Sequence, residues 1–158
     1  MVAEQRENGD DGLPRERRPF RVLVIGDNGT GREIIIRNIR RAWPFEYQLE
    51  WENAADGDEA MMRLTQDTFT LVIFDWQMPG EGGMRDLRKL RAGRGDIPMI
   101  VISEANGGDI AEDLESLGAA FIPRESISPT TLRDAAATSA RWLADKVARD
   151  RRGRKEEV

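Results

Sequence analysis

Short apolar runs alternate along the chain with longer segments in which apolar residues recur every three or four positions. Unbroken runs predict strands that are buried on both faces, and the longer spacing predicts amphipathic helices. Residues 45–51 instead alternate apolar and polar side chains, which predicts a half-exposed strand at a sheet edge. The predicted strands cover 20–26, 45–51, 70–75, 98–103 and 119–122, and the predicted helices cover 32–43, 56–66, 84–92, 109–118 and 129 to about 151.

Strands and helices in this alternating order indicate a doubly wound parallel α/β sheet with helices on both faces. The polar segment 1–18 precedes the first strand and is predicted to be a flexible tail. We expect a single domain over residues 19–146, followed by a charged extension over residues 147–158.

The composition excludes several kinds of chemistry. The 158-residue chain contains no cysteine and no histidine, so disulfides, thiol nucleophiles, thiolate zinc sites and catalysis by histidine are excluded. A bound metal would therefore be a hard cation held by oxygen atoms. The net charge of −5 gives no electrostatic argument for direct binding of nucleic acid. No apolar run is long enough for a membrane span and no secretory signal is visible, so we expect a cytoplasmic protein.

Polar residues lie at the predicted carboxyl ends of several strands, which is where ligands bind in doubly wound sheets. Asp27 follows the first strand, Asp75 ends the third, Ser103 and Glu104 follow the fourth, and Arg124 follows the fifth. Two carboxylates can share one magnesium ion beside phosphate oxygens, and a hydroxyl and a guanidinium can bind those oxygens. Asp75 is therefore a candidate nucleophile and phosphoryl acceptor, although each of these residues alone is typical of a turn, a cap or a solvated charge.

Four segments together resemble the receiver domain of response regulators: VLVIGDNGTGRE, LVIFDWQMPGEGG, PMIVISEA and GAAFIPRESISP. The resemblance spans roughly residues 20–145 and implies the flavodoxin-like fold with strand order 2-1-3-4-5. It implies that Asp75 is phosphorylated by a histidine kinase or a phosphotransfer protein, which is a signalling role and not an enzymatic one. It also implies that Asp27 and the carbonyl of Gln77 join Asp75 in binding magnesium, and Trp76 would respond to occupancy of the site.

The same resemblance assigns two more roles and exposes three departures from the family pattern. Ser103 matches the hydroxyl that follows the phosphoryl group, and Phe121 matches the aromatic switch position. Gly26 stands where the family has the first of two adjacent acids, Glu104 where it has a small residue, and Arg124 where it has lysine. Gly26 predicts weak magnesium binding because one carboxylate is missing, and Glu104 could either compensate for it or obstruct the site. Arginine keeps the charge of lysine but is bulkier and planar, so that exchange is not conservative. These departures leave open a second hypothesis, a receiver-like interaction module that works without phosphorylation.

A nucleotide-binding enzyme is a remote third hypothesis. Residues 26–31 have the spacing G-x-x-x-x-G between a predicted strand and a predicted helix. A phosphate loop would continue with lysine and then serine or threonine, but Arg32 and Glu33 follow instead. An acid at that position would repel a bound triphosphate, which argues against this hypothesis.

The last helix is predicted to help form a homodimer. Its first part carries apolar residues at three- and four-residue spacing that can cover the sheet, and Trp142, Leu143 and Val147 continue this stripe. We expect these three side chains to extend beyond the sheet, where a partner would bury them. In the alternative, Trp142 folds back onto its own domain beside the first helix.

Overall fold

The computed structural model describes residues 18–26, 29–43, 47–76, 81–104 and 110–156. The strands are β1 (Arg18–Ile25), β2 (Tyr47–Ala54), β3 (Leu71–Trp76), β4 (Met99–Ser103) and β5 (Ala119–Pro123). The helices are α1 (Gly29–Ala42), α2 (Gly57–Gln66), α3 (Glu81–Gly93), α4 (Ala111–Ser116) and α5 (Pro129–Glu156), with a short 3-10 helix over Arg124–Ser126.

The strands form one parallel sheet in the order β2-β1-β3-β4-β5. This confirms the doubly wound fold and the strand order that the sequence predicted. It also confirms that β2 lies at an edge, where Trp51 remains 38% exposed. The predicted start of this strand at Phe45 lies outside the described residues.

The core is divided between the two faces of the sheet. One apolar cluster joins the sheet to α2, α3 and α4, and the other joins it to α1 and α5. Successive side chains of a strand point to opposite faces, so Val72 and Phe74 enter the first cluster while Leu71 and Ile73 enter the second. Burial on both faces explains why β3 reads as an unbroken apolar run.

The last helix differs from its prediction in two respects. It runs to Glu156 and not to about Arg151. Leu143 is buried and Trp142 packs against the cluster between the sheet, α1 and α5, so only Val147 stays largely exposed, at 48%. The expectation that all three side chains extend beyond the sheet is therefore wrong for Trp142 and Leu143. The alternative is confirmed in that Trp142 packs on its own domain, where it lines a groove with Phe121 and Ile122 of β5, while its expected position beside α1 stays a prediction.

Two buried polar side chains stabilise the end of the sheet where β4 and β5 begin. Ser139 of α5 donates a hydrogen bond to the carbonyl of Gly118 and accepts one from the Met99 amide. The Arg91 guanidinium donates to the Leu117 carbonyl at 2.6 Å, and its burial lowers its pKa to about 10. These bonds join α3, α5 and the turn before β5, because each buried polar group needs a partner.

Two predictions concern the ends of the chain, and the structure describes only part of each segment. The predicted flexible tail lies outside the described residues except for Arg18, with which β1 begins. Residues 147–156 of the predicted charged extension continue α5 without interruption. The described helices include none with the length and apolar character needed to cross a membrane.

Candidate functional site

Asp75 is a buried carboxylate near the end of the central strand. All residues of β3 are buried, and the Asp75 side chain is only 1% exposed. The alternation along the strand places it on the face that Leu71 and Ile73 share, toward α1 and α5. Burying an unpaired carboxylate costs several kcal/mol, so this position requires a cation.

The cation is Arg124, which lies 49 residues further along the chain. Its Nη2 donates to Oδ1 of Asp75 and also to the carbonyl oxygen of Trp76, at 2.9 Å. The register explains the contact: Trp76 pairs with Ser103, and Ser103 pairs with Pro123, so the chain enters the 3-10 helix beside the end of β3 and β4. The structure thus brings Asp75 and Arg124 together, as strand-end positions had suggested.

Glu104 contacts Arg124 and not Asp75. Its Oε1 lies 3.7 Å from Nε of Arg124, and its side chain is 69% exposed. Neither this pair nor the hydrogen bond from Arg124 to the Trp76 carbonyl was predicted from the sequence. The sequence did contain a signal for the pair between Glu104 and Arg124. Both residues depart from the family pattern, and both follow strands that are neighbours in the predicted order.

The predicted metal ligands are only partly described. Asp27 and Gln77 lie outside the described residues, and within the described part of the chain no three acidic residues cluster in a way that could hold a metal. Oδ2 of Asp75 is buried and has no hydrogen-bond partner among the described residues. A carboxylate oxygen with this lone-pair capacity suits a hard cation such as magnesium, so the donor chemistry fits the metal.

Gly26 allows the ends of β1 and β3 to approach closely. A Cβ atom at this position would lie 3.0 Å from the carbonyl oxygen of Asp75 and 3.1 Å from its Cβ. The Gly26 amide donates to the Ala54 carbonyl at 2.8 Å, which ties the end of β1 to β2. Glycine stands here where the family has an acid, and the absence of a side chain lets the backbone of β1 pack closely beside Asp75.

The other three predicted residues lie on β3, β4 and β5. Ser103 is fully buried at the end of β4, next to Ile102, whose register partner is Asp75. Trp76 is buried on the opposite face of the sheet from Asp75, in the cluster with α2, α3 and α4. Phe121 is half-buried on the edge strand β5 and packs against that same cluster. Trp76 is therefore connected to the site through its backbone carbonyl, which accepts from Arg124, while its ring lies on the other face of the sheet.

A parallel sheet in the order 2-1-3-4-5, with helices on both faces and a polar site at the strand ends, defines a flavodoxin-like α/β domain. The sequence profile described as "Response regulator receiver domain" matches residues 22–136. The chain belongs to this family. It is therefore a receiver domain of the kind found in two-component response regulators. Such domains are generally signalling domains that typically bind Mg²⁺ and interact with histidine kinases and phosphotransfer proteins.

Curated relatives are similar over part of their length. Response regulator MprA of Mycolicibacterium vanbaalenii is 34% identical over 86 residues, which cover 54% of this chain and 35% of MprA. Regulatory protein VanRB of Enterococcus faecalis is 32% identical over 84 residues, which cover 53% of this chain and 36% of VanRB. The sensor kinase/phosphatase LuxQ of Vibrio vulnificus is 32% identical over 72 residues, which cover 46% of this chain and 8% of LuxQ. The chain thus spans about a third or less of the length of these relatives.

Solved structures support the fold. A CheY-like receiver domain from Methanospirillum hungatei superposes with a TM-score of 0.61 at 19% identity, covering 80% of this chain and 98% of the other. Response regulator TrrA from Thermotoga maritima, in complex with Mg(2+)-BeF, has a TM-score of 0.58 at 23% identity and covers 76% of this chain and 98% of TrrA. Similarity at this level of identity shows the common fold.

Proposed function

We propose that this receiver domain accepts a phosphoryl group on Asp75 and thereby switches a protein-interaction surface. The observation that carries the proposal is the arrangement of the Asp75 carboxylate. Oδ1 is held by Arg124, and the buried Oδ2 has no hydrogen-bond partner among the described residues. A fixed carboxylate with one oxygen available for bond formation meets the basic requirement of a carboxylate nucleophile.

In the proposed transfer, Oδ2 of Asp75 attacks the phosphorus of a phosphohistidine. The oxygen–phosphorus bond forms as the phosphorus–nitrogen bond breaks, and the imidazole leaves with the electron pair and takes up a proton. The chain contains no histidine, so the donor is a second protein. A histidine kinase or a phosphotransfer protein is the partner that family membership favours.

Two residues are proposed to bind the transferred group. Arg124 would turn from the carboxylate toward a phosphoryl oxygen, because charge-assisted hydrogen bonds from guanidinium to phosphate are strong and directional. Ser103, buried at the end of the adjacent strand, would donate its hydroxyl to a second oxygen. Magnesium held by Asp27, Asp75 and the carbonyl of Gln77 would offset the negative charge on these oxygens.

The proposed switch lies along β5. When Arg124 leaves the Trp76 carbonyl, the end of β3 loses one of its connections to the segment after β5. Phe121 lies on the same edge strand, half-buried, and can change its packing without opening the centre of the core. We propose that a change in its exposure alters the surface that a downstream partner recognises.

The test is reaction of the full chain with acetyl phosphate and magnesium, followed by intact-protein mass spectrometry. We expect a mass increase of one phosphoryl group that the variant Asp75→Asn abolishes. The variant Asp86→Asn, which changes an acid on α3, is the matched control and should still be modified. No increase in the wild-type protein, or an increase that survives Asp75→Asn, would rule out the proposed acceptor.

One observation favours a second function. The Arg124 guanidinium already neutralises Asp75, so the pair can stabilise the fold without any phosphoryl transfer. In that case the domain is an interaction module independent of phosphorylation. Beryllofluoride, an acyl-phosphate mimic, separates the two functions, since magnesium-dependent binding requires a working acceptor site and a pure interaction module would show none.

We also infer that the C-terminal part of α5 supports a homodimer. Val147 is exposed there, beside an open groove of about 840 Å³ whose lining includes Ala140, Ala144 and Ala148. Small side chains allow close approach of a second helix, and the exposed valine would be buried by it. This surface is smaller than the one that the sequence pattern predicted, because Trp142 and Leu143 pack within the domain.

A further inference from the structure

Arg124 is shared between two carboxylates that approach different nitrogens of its guanidinium group. Nη2 donates to Asp75, which is buried, while Nε faces Glu104, which is largely exposed. The planar fork of arginine can serve two acceptors at once, whereas a lysine ammonium group is a single compact charge. Arg124 and Glu104, which both depart from the family pattern, therefore form one structural unit.

The sheet register makes this unit possible. Ser103 and Pro123 are paired across β4 and β5, so the residues that follow them, Glu104 and Arg124, leave the sheet side by side. The largely exposed Glu104 carboxylate lies near Nε of the guanidinium, and Nη2 donates to the backbone carbonyl of Trp76. Two hydrogen-bond acceptors and the ion pair with Glu104 thus hold Arg124 in its orientation toward Asp75.

We propose that Glu104 is a positioning residue that holds Arg124 on Asp75 and so lowers the affinity of the site for a phosphoryl group. Arg124 must turn away from the carboxylate to bind a phosphoryl oxygen, and Glu104 competes with that oxygen for the same guanidinium. This inference deepens the proposed phosphorylation of Asp75 and rests on it for its effect on binding. It differs from steric obstruction, since the effect of Glu104 passes through Arg124.

The pairing itself is tested without any phosphoryl analogue, by NMR of the Arg124 Nε–H group in the full chain. The signal is assigned by its loss in Arg124→Lys. We expect Glu104→Gln to move this signal, because the substitution removes the charge but keeps the size of the side chain. Glu125→Gln removes a neighbouring exposed charge that makes no ion pair with the described residues, and should leave the signal in place. An Nε signal unaffected by Glu104→Gln would overturn the inference, whether or not Asp75 is phosphorylated.

The functional effect is tested by titrating beryllofluoride in the presence of magnesium. An exposed ion pair contributes little, so Glu104→Gln should raise the affinity by about two- to five-fold, and Glu125→Gln should not. In the Arg124→Lys background the gain should disappear, whereas direct repulsion or obstruction by Glu104 would persist there. An equal gain in both backgrounds would overturn the positioning role. If neither the wild-type protein nor Glu104→Gln binds beryllofluoride, both the proposed phosphorylation and the proposed effect on affinity are wrong. A shifted Nε signal would still establish the ion pair between Glu104 and Arg124.

Discussion

Trp76 lies so close to Gly83 that a Cβ atom at position 83 would be 2.6 Å from Cε2 of the indole ring. Trp76 is the last residue of β3, and Gly83 lies in the first turn of α3. Glycine lets the helix approach the ring, which is itself packed edge to face against Phe74 at 6.1 Å. The start of α3 is therefore shaped by a side chain that immediately follows the proposed phosphoryl acceptor.

We expect Gly83→Ala to destabilise the protein by about 1–3 kcal/mol, because the added methyl group overpacks the Trp76 contact. Gly82→Ala is the matched control, since a Cβ atom there meets nothing within 4 Å. Alanine is the better helix former, so the control should be neutral or stabilising by up to about 1 kcal/mol. Urea unfolding followed by circular dichroism measures both values. Equal stabilities for the two variants would contradict the packing argument.

Restoring an acid at position 26 should increase magnesium affinity but at a cost in stability. Both Gly26→Ala and Gly26→Asp place a Cβ atom about 3.0 Å from the Asp75 carbonyl oxygen, so both are expected to unfold more readily. Only the aspartate adds a carboxylate ligand. Calorimetric titration with magnesium should therefore show tighter binding for Gly26→Asp than for Gly26→Ala. Equal affinities would mean that the missing acid is not the cause of weak binding.

Ser139→Ala should destabilise the protein by about 1–3 kcal/mol, because it leaves buried backbone groups without a partner. The Met99 amide loses its acceptor, which lies at 3.0 Å, and the Gly118 carbonyl loses a donor. Ser116→Ala is a suitable control, since Ser116 is exposed on α4 and should change the stability by less than about 0.5 kcal/mol. Thermal unfolding of the two variants side by side gives the comparison. Similar midpoints would show that the buried bonds contribute little.

Glu59 is expected to make the stability of the protein depend on acid pH. The Ala55 amide donates to its carboxylate at 2.9 Å and Arg63 donates at 3.1 Å, and these bonds lower the pKa of Glu59 below its ordinary value of 4.5. A lowered pKa in the folded state means that the stabilisation is present above pH 4.5 and is lost as the pH falls through the folded value. Glu59→Gln should therefore be less stable than the wild type at neutral pH. The difference should shrink below pH 4.5, and a difference that stays constant down to pH 3 would contradict this assignment.

Homodimer formation through α5 is expected to depend on Val147. Light scattering at high micromolar concentration should show a dimer that Val147→Glu dissociates. Met62→Glu is the matched control, because Met62 is an equally exposed apolar residue, at 54%, on α2. It should leave the dimer intact. Trp142→Glu is unsuitable because Trp142 packs within the domain. A wild-type protein that stays monomeric would exclude this interface.

Much of the fold was predictable from the sequence because it depends on local periodicity. Backbone geometry gives strands a period of two and helices a period of 3.6, so apolar spacing identifies each element without knowledge of its neighbours. The unbroken run before Asp75 predicted a central strand, and the alternation around Trp51 predicted an edge. The order of the strands, and the position of Asp75 and Arg124 at one end of the sheet, followed from the resemblance to receiver domains and from the topology of parallel sheets.

The contacts that define the site were decided by the tertiary structure. The pairing of Ser103 with Pro123 sets Glu104 beside Arg124, and no local pattern encodes the register of two parallel strands. The packing of α5 on the sheet leaves Trp142 partly buried against its own domain, although helical spacing alone allowed it to face solvent. Such contacts join residues far apart in the chain, and they depend on how the elements are placed against each other. Periodicity determines which face of an element is apolar, whereas only the folded chain determines what that face meets.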